Sequence, residues 1–461
     1  MTLRAPVEYR SVSAVRGPLL VVQGVEGVGW DEVAEVRLDS GEVRHGVVLD
    51  VDRDIAIVEV FEGTSDLRLG RLRVAFAGSP LRVPVGEGWL GRVCNGRGEP
   101  LDGGPPVVGD LLEDVAGSPI NPGARDIPSD PILTGMSAID GLATLVRGQK
   151  LPIFSVGGLP HLELAAQIAS QAQVGDEPFA VVFAAVGITR ADAMAVRDAL
   201  EARSGAGGLA LFLNTADDPI VERIVTPRIA LTVAEHLAFE LDRHVLVVTA
   251  DLTSYAEAVR EISAARGEVP SRRGYPGYLY SDLASLYERA GRIKGHAGSL
   301  TQVPVLTMPA GDVTHPVPDL TGYITEGQLV LSQDLHVGGV YPPFDALGSL
   351  SRLMRLGAGP GRTREDHLEI AAQLYALVAE ARQIADLADV VGEAGLTHRD
   401  RRHLAFSQTF LSGFLSQGRD EARSLEETLA RAWQVASTLP KRELTMVSEA
   451  LVAKHYAGEP A

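Results

Sequence analysis

KLPIFSVGGLPHLELAAQIASQA, residues 150–172, is the stretch on which the reading of this chain turns. LPIFSV has the length and apolarity of a buried strand. HLELAAQIASQA has helical spacing, and two glycines turn the chain between them. A strand feeding a helix through a glycine turn is where nucleotide phosphates are commonly held. A working phosphate loop reads G-x-x-x-x-G-K-[ST]: backbone N–H groups hold phosphate, the lysine neutralises it, and the hydroxyl ligates magnesium. In that frame Ser155 stands at the first glycine, Pro160 at the second, His161 at the lysine and Leu162 at the hydroxyl. Proline donates no N–H, leucine binds no magnesium, and histidine is mostly neutral near pH 7. The helix N-terminus alone favours an anion by about 0.3 to 2 kcal/mol. That supports weak phosphate binding at most and no hydrolysis at this loop. The plainer reading is that Gly157 and Gly158 only turn the chain.

The same alternation continues outward. FAVVFAAV (179–186) precedes ITRADAMAVRDALEAR, LALFLNTA (209–216) precedes DDPIVERIVTPRIALTVAEHLAFE, and HVLVVTAD (244–251) precedes LTSYAEAVREISAA. Apolar strands alternating with helices predict a parallel α/β sheet covered on both faces, with ligands beyond the carboxyl ends of its strands. Asp251 ends one such strand. It can cap the following helix or stand where a nucleoside triphosphatase holds magnesium through water; the metal reading lacks its partner, because residue 162 carries no hydroxyl.

Upstream, GPLLVVQGV, EVAEVRLDSGEVRHGVVLDVD and IAIVEVFEG alternate apolar and polar residues, and Asp39-Ser40-Gly41 is placed for a hairpin turn. Residues 1–75 are expected to form a small antiparallel barrel or sandwich. GRVCNGRGEPLDGGPPVVGDLLE (91–113) is punctuated by Gly and Pro, so residues 76–130 read as an ordered connector leading the central α/β domain, 76–360. Beyond it Ala371, Leu374, Val378, Ala381, Ala385 and Ala388 share a helical face, and Thr397 with Asp400 and Ser424 with Glu427 fit helix starts. Residues 361–461 therefore read as a helical bundle.

Composition narrows the function classes. Among 461 residues, 60 acids against 42 Lys and Arg give a net charge of -18, with no basic stripe. That argues against nucleic acid and against anionic membrane surfaces. No apolar run approaches a membrane span, and MTLRAPVEYRSV lacks the apolar core of a leader. The expectation is a soluble, cytoplasmic protein. Its single cysteine, Cys94, can form neither an internal disulfide nor a cysteine zinc site, and reads as a small buried side chain.

The motif set goes further than spacing. TGMSAIDGLATLVRGQKLPIFS (134–155), GLPHLELAAQIASQA, VGITRADA, NTADDPIVERIVTPRIALTVAEHLAFE, GYPGYLYSDLASLYERAGRIKG, THPVPDLTGYITEGQLVLS and YPPFDALGSLSRLM together resemble the B subunits of V/A-type rotary ATPases, in order and over nearly the whole chain. The GLPH loop separates those subunits from the catalytic A subunits, whose loops keep the lysine. One departure stands out: the family loop more often reads SGSGLPHNE, whereas this chain has Val156, Gly157 and Leu162.

The resemblance implies an N-terminal β-barrel, a RecA-like P-loop-NTPase-type α/β domain and a C-terminal helical domain. It implies three B subunits alternating with three catalytic A subunits around a central shaft, with a peripheral stalk, at the cytoplasmic side of a membrane sector carried by other chains. ATP or ADP with Mg would sit at the A–B interface, coupled to proton or sodium movement. Arg352, in SLSRLM, matches the family's arginine finger, a permanently charged fork aimed at the partner's transferring phosphoryl group. Its plain alternative is an intradomain salt bridge; Arg355 is the next candidate. Tyr323 matches a residue that faces the partner's nucleotide. Ser155, Gly157, Gly158 and His161 would form a degenerate phosphate loop with weak or no nucleotide, and SRRGYPGYLYSDLA (271–284) would lie near the ring's central opening. Two other readings stay open: a scaffold or nucleotide-sensing subunit outside a motor, and a self-sufficient hexameric nucleoside triphosphatase.

Overall fold

A computed structural model of the chain describes residues 7–109, 111–205 and 207–458. The first six residues of MTLRAPVEYRSV, on which half of the leader expectation rests, lie outside them.

Seven antiparallel strands open the chain. The alternation in Glu32–Arg37 and Val43–Asp52 pairs Val36 with Arg44 across a hairpin. Its turn is the anticipated Asp39-Ser40-Gly41, with the Gly41 amide donating to the Leu38 carbonyl and Gly41 at φ +86°. The last strand of this sheet, Arg73–Pro80, pairs with Glu32–Arg37 and with Glu8–Tyr9. The strands curl around Leu20, Val22, Val36, Val48, Val58 and Val74 as a barrel.

The connector is bound to its neighbours by strand pairing. Arg82–Val85 pairs with Leu111–Asp114, and Val93–Asn95 joins the central sheet as a parallel edge strand beside Leu209–Thr215. Cys94 lies on that edge strand, 1% exposed, and burial pushes its thiol up to about 11.

From that edge the central sheet runs through Leu209–Thr215, Phe179–Ile188, His244–Ala250, Ser299–Thr307, Ile153–Ser155 and Gly327–Val330, all parallel. Leu350–Ser351 closes the far edge, antiparallel to Gly327–Val330. The strands read as unbroken apolar runs because both faces are covered. In Phe179–Ile188, Val181, Phe183 and Ala185 enter one core while Ala180, Val182 and Ala184 enter the other. Helices Ile220–Glu235, Leu252–Ala265 and Leu279–Tyr287 cover the second face.

The C-terminal region is helical: His367–Val391, His398–Thr409, Leu425–Ala436 and Glu449–His455. Thr397 and Asp400 form a reciprocal capping box, and the Ser424 side chain accepts from the Glu427 amide. Phe406, Phe410 and Phe414 stack in succession, with ring centroids 6.2 and 5.5 Å apart. They belong to the same apolar core as Phe183 and Leu164 of the α/β domain. Among the described residues no helix is long and apolar enough to cross a membrane.

Candidate functional site

Strand Ile153–Ser155 delivers the chain to the glycine turn at the carboxyl edge of the sheet, and helix His161–Gln171 leaves it. Ser155 is fully buried; its Oγ lies 3.2 Å from His161 Nδ1 and donates to the Val156 carbonyl at 3.3 Å. Gly158 holds φ +90°, which disfavours any side chain, while a methyl group on Gly157 would meet nothing within 4 Å. His161 begins the helix, and burial pushes its pKa down. It is therefore neutral at pH 7 and supplies no charge where a phosphate loop has lysine. Leu162 packs on the main core. Glu163, in the first turn, is ion-paired with Arg419 from the helical region, and the Arg419 guanidinium sits 4.9 Å over the Tyr341 ring. The positive end of the helix thus has a carboxylate of its own chain beside it. These residues do not fit a magnesium–triphosphate: a proline, a neutral histidine and a half-buried leucine stand where N–H, ammonium and hydroxyl are needed, and a paired glutamate follows them.

Asp251 resolves toward the cap. Its carboxylate accepts from the Thr253 amide at 2.7 Å, from the Thr307 amide at 3.2 Å and from the Thr307 hydroxyl. Burial pushes its pKa up to about 6. Among the described residues no group of three or more His, Cys, Asp or Glu is placed to hold a metal ion.

The far edge of the sheet is built differently. Gly327 sits at φ +140°, and a Cβ there would fall 2.1 Å from the Leu350 carbonyl oxygen. Only glycine lets strand Leu350–Ser351 lie against it. That strand leads into Arg352, whose amide donates to the Glu326 carbonyl at 3.0 Å and whose Nη1 donates to the Thr325 carbonyl at 3.3 Å. The side chain is exposed, and among the described residues no carboxylate lies within 4.0 Å of it. Among the described residues the intradomain salt bridge is therefore absent. Tyr323, two residues before the carbonyl that Arg352 holds, is 76% exposed. Arg355, on the short helix Met354–Gly357, is exposed as well.

Beneath this edge lies a support that motif reading does not find. Gln149 Nε2 donates to the Glu326 carbonyl at 3.1 Å and to Ser351 Oγ at 3.0 Å. Ser351 Oγ donates to the Thr144 carbonyl at 3.0 Å. Lys150, 3% exposed, bridges Glu288 at 2.8 Å and Glu326 at 3.0 Å. The backbone flanking Arg352 is thus pinned while its guanidinium, among the described residues, stays free of acids. The register also separates Arg352 from its own loop. Ile153 pairs with Leu329, and Gly327 pairs with Ser351, so Arg352 sits level with the start of these strands and Ser155 at their end. Lys150 to Ser155 is five steps of extended chain ending in strand Ile153–Ser155, about 16 Å.

The paired arginines of SRRGYPGYLYSDLA are engaged internally. Arg272 binds Asp319 at 2.9 Å and the Thr314 carbonyl at 2.6 Å, and Arg273 binds Asp312 at 2.5 Å.

Comparison with known proteins adds the lineage. Residues 12–77 match the β-barrel domain of the ATP synthase alpha/beta family, residues 135–351 its nucleotide-binding domain, and residues 356–456 the C-terminal domain of V and A type ATP synthase. The B subunit of the A-type ATP synthase from Aeropyrum pernix is 56% identical over 451 residues, 97% of each chain. A solved ATP synthase subunit, NeqB of Nanoarcheaum equitans, superposes with a TM-score of 0.72 at 38% identity, covering 92% of this chain and 100% of that one. As one subunit of such a complex, the chain works with other subunits. The barrel, the α/β domain with its altered phosphate loop and the helical end all fall within one lineage: the chain belongs to the ATP synthase alpha/beta family, among the B subunits of A-type ATP synthases.

Proposed function

We propose that this chain is the non-catalytic, regulatory subunit of an alternating ring: three copies with three catalytic A subunits around a central shaft, held by a peripheral stalk. ATP synthesis or hydrolysis would take place at A, coupled to proton or sodium transport through a membrane sector formed by other chains. The chain would then be peripheral to the membrane on its cytoplasmic side. Nucleotide and magnesium would belong to the interface with A.

The observation that carries this reading is Arg352. It is an exposed arginine with a pinned backbone, no acidic partner among the described residues and about 16 Å of extended chain between it and its own phosphate loop. Negative charge developing on a transferring phosphoryl group is stabilised by a planar cation that needs no reorganisation when the reaction occurs. Guanidinium suits this because it stays protonated and presents a fixed fork of donors. Tyr323, on the same edge, would pack its ring against the partner's nucleotide. Ser155, Gly157, Gly158 and His161 keep the turn without the chemistry.

The test is ATPase activity of the ring reconstituted with Arg352→Ala. Such fingers contribute about 10³ to 10⁵ in rate, so turnover should fall by that order while ring assembly and nucleotide binding persist. Near-normal turnover removes the assignment.

A further inference from the structure

Between the barrel and the α/β domain lies a cavity of about 680 Å³ that the ring function does not use. Its walls are apolar: Val47 and Leu49 from the barrel, Val221 and Ile224 from helix Ile220–Glu235, Val259 and Ile262 from helix Leu252–Ala265. A concave apolar space of this size with a few charged groups is the usual form of a small-molecule site.

The charges on its lining do not balance. Arg228 is held by Asp282 at 2.7 Å and by the Tyr255 hydroxyl at 3.1 Å, and that hydroxyl donates to Asp282 at 2.6 Å. Arg266 pairs with Glu268 at 3.5 Å and lies 5.8 Å over the Trp30 ring. Both lining arginines are thereby matched by one carboxylate each. Two further lining carboxylates, Asp31 and Asp114, have no ion pair among the described residues. Asp114 accepts the Ala116 amide at 2.9 Å, and Asp31 acts on Arg228 as a second negative charge beside Asp282. The lining therefore carries two negative charges more than positive ones; Asp31 is exposed and Asp114 half-buried, so the excess lies at the mouth of the apolar space.

We propose that this cavity binds an amphiphilic monocation: an apolar body of aromatic size filling the space between the valines and isoleucines, with one ammonium-type charge at the mouth whose negative excess Asp31 and Asp114 supply. An anion would add to that excess and a neutral molecule would leave it whole, whereas one positive charge halves it. Trp30, 61% exposed at the barrel side of the cavity, is a built-in reporter.

The test is calorimetric titration of the purified full-length chain with three probes of one shape: 2-naphthylmethylammonium, 2-naphthylmethanol and 2-naphthoate. Trp30 fluorescence is followed in parallel, with Trp30→Phe as its control. The cation should bind at least tenfold more tightly than the alcohol, and the carboxylate should bind most weakly. The double variant Asp31→Asn/Asp114→Asn should abolish the preference for the cation while leaving alcohol binding within twofold. Asp31 holds φ +59°, a conformation that asparagine also tolerates, so this variant should fold. Ile224→Trp, which fills the cavity, should weaken all three probes. Equal binding of the three, or no binding, overturns the proposal. So does loss of the cation site when the chain is assembled with its partner subunits, because a neighbouring subunit would then be the occupant.

Discussion

The two ends of one parallel sheet differ in how their polar groups are satisfied. At the carboxyl end, around Ser155 and His161, the polar side chains are engaged within the chain. The serine bonds the histidine, Asp251 takes the two Thr307 donors and the Thr253 amide, and Glu163 faces Arg419. At the far edge Arg352 has its backbone fixed and, among the described residues, no acidic partner for its charge. A group that has found partners inside its own chain contributes to folding; a charge held in place without one is available to a neighbour. The contrast separates side chains that serve the fold from one that stays available at its edge.

The sharpest way to break the contrast is Arg352→Ala, expected to cost the assembled complex about 10³ to 10⁵ in turnover. Rebuilding the other end should act in the opposite sense. Pro160→Gly with His161→Lys and Leu162→Thr restores the N–H, ammonium and hydroxyl, and should tighten magnesium–ATP binding by the isolated chain at least tenfold in an equilibrium titration. The removal of Leu162 from the core should cost about 1 to 2 kcal/mol of stability. No gain in affinity would mean that something besides these three side chains blocks the site.

Asp251 gives a smaller, pH-resolved effect. Its carboxyl holds its proton to about pH 6 in the folded chain but only to about 3.8 when unfolded. Over that window the native state binds more protons, so stability declines as pH rises through it and then levels off. Asp251→Asn should remove that slope in chemical denaturation, an effect of at most about 3 kcal/mol, and should leave ring turnover within twofold. A large loss of turnover would return Asp251 to the metal reading. The smallest effect is expected for Arg419→Ala: the pair with Glu163 is solvent-exposed, so its loss should cost under about 1 kcal/mol and about 1 °C in Tm.

Much of this fold is legible in the residues. Phe179–Ile188 and His244–Ala250 announce themselves as strands because both faces are buried, and the capping box at Thr397 fixes a helix start from four residues. Val93–Asn95 gives no such signal. It is three residues long between glycines, and its partner, Leu211–Leu213, lies more than a hundred positions away. The defects of the phosphate loop can be read directly, since each is a side chain that cannot do what its position requires. Arg352 is different: most arginines do no chemistry, and only the resemblance singles it out. Its support by Gln149, Lys150 and Glu326 joins segments some 176 positions apart in sequence, a contact that local periodicity does not encode. The cavity at Trp30 is likewise assembled from separate segments, none of which is unusual alone.

The shared interior has a mechanical consequence. Phe414 of the helical end and Phe183 of the sheet belong to a single apolar core, and Gln417 and Arg423 both donate to the Gly135 carbonyl at its margin. Parting the helical end from the sheet would bring some of that core into water, and the hydrophobic cost of doing so opposes their separation.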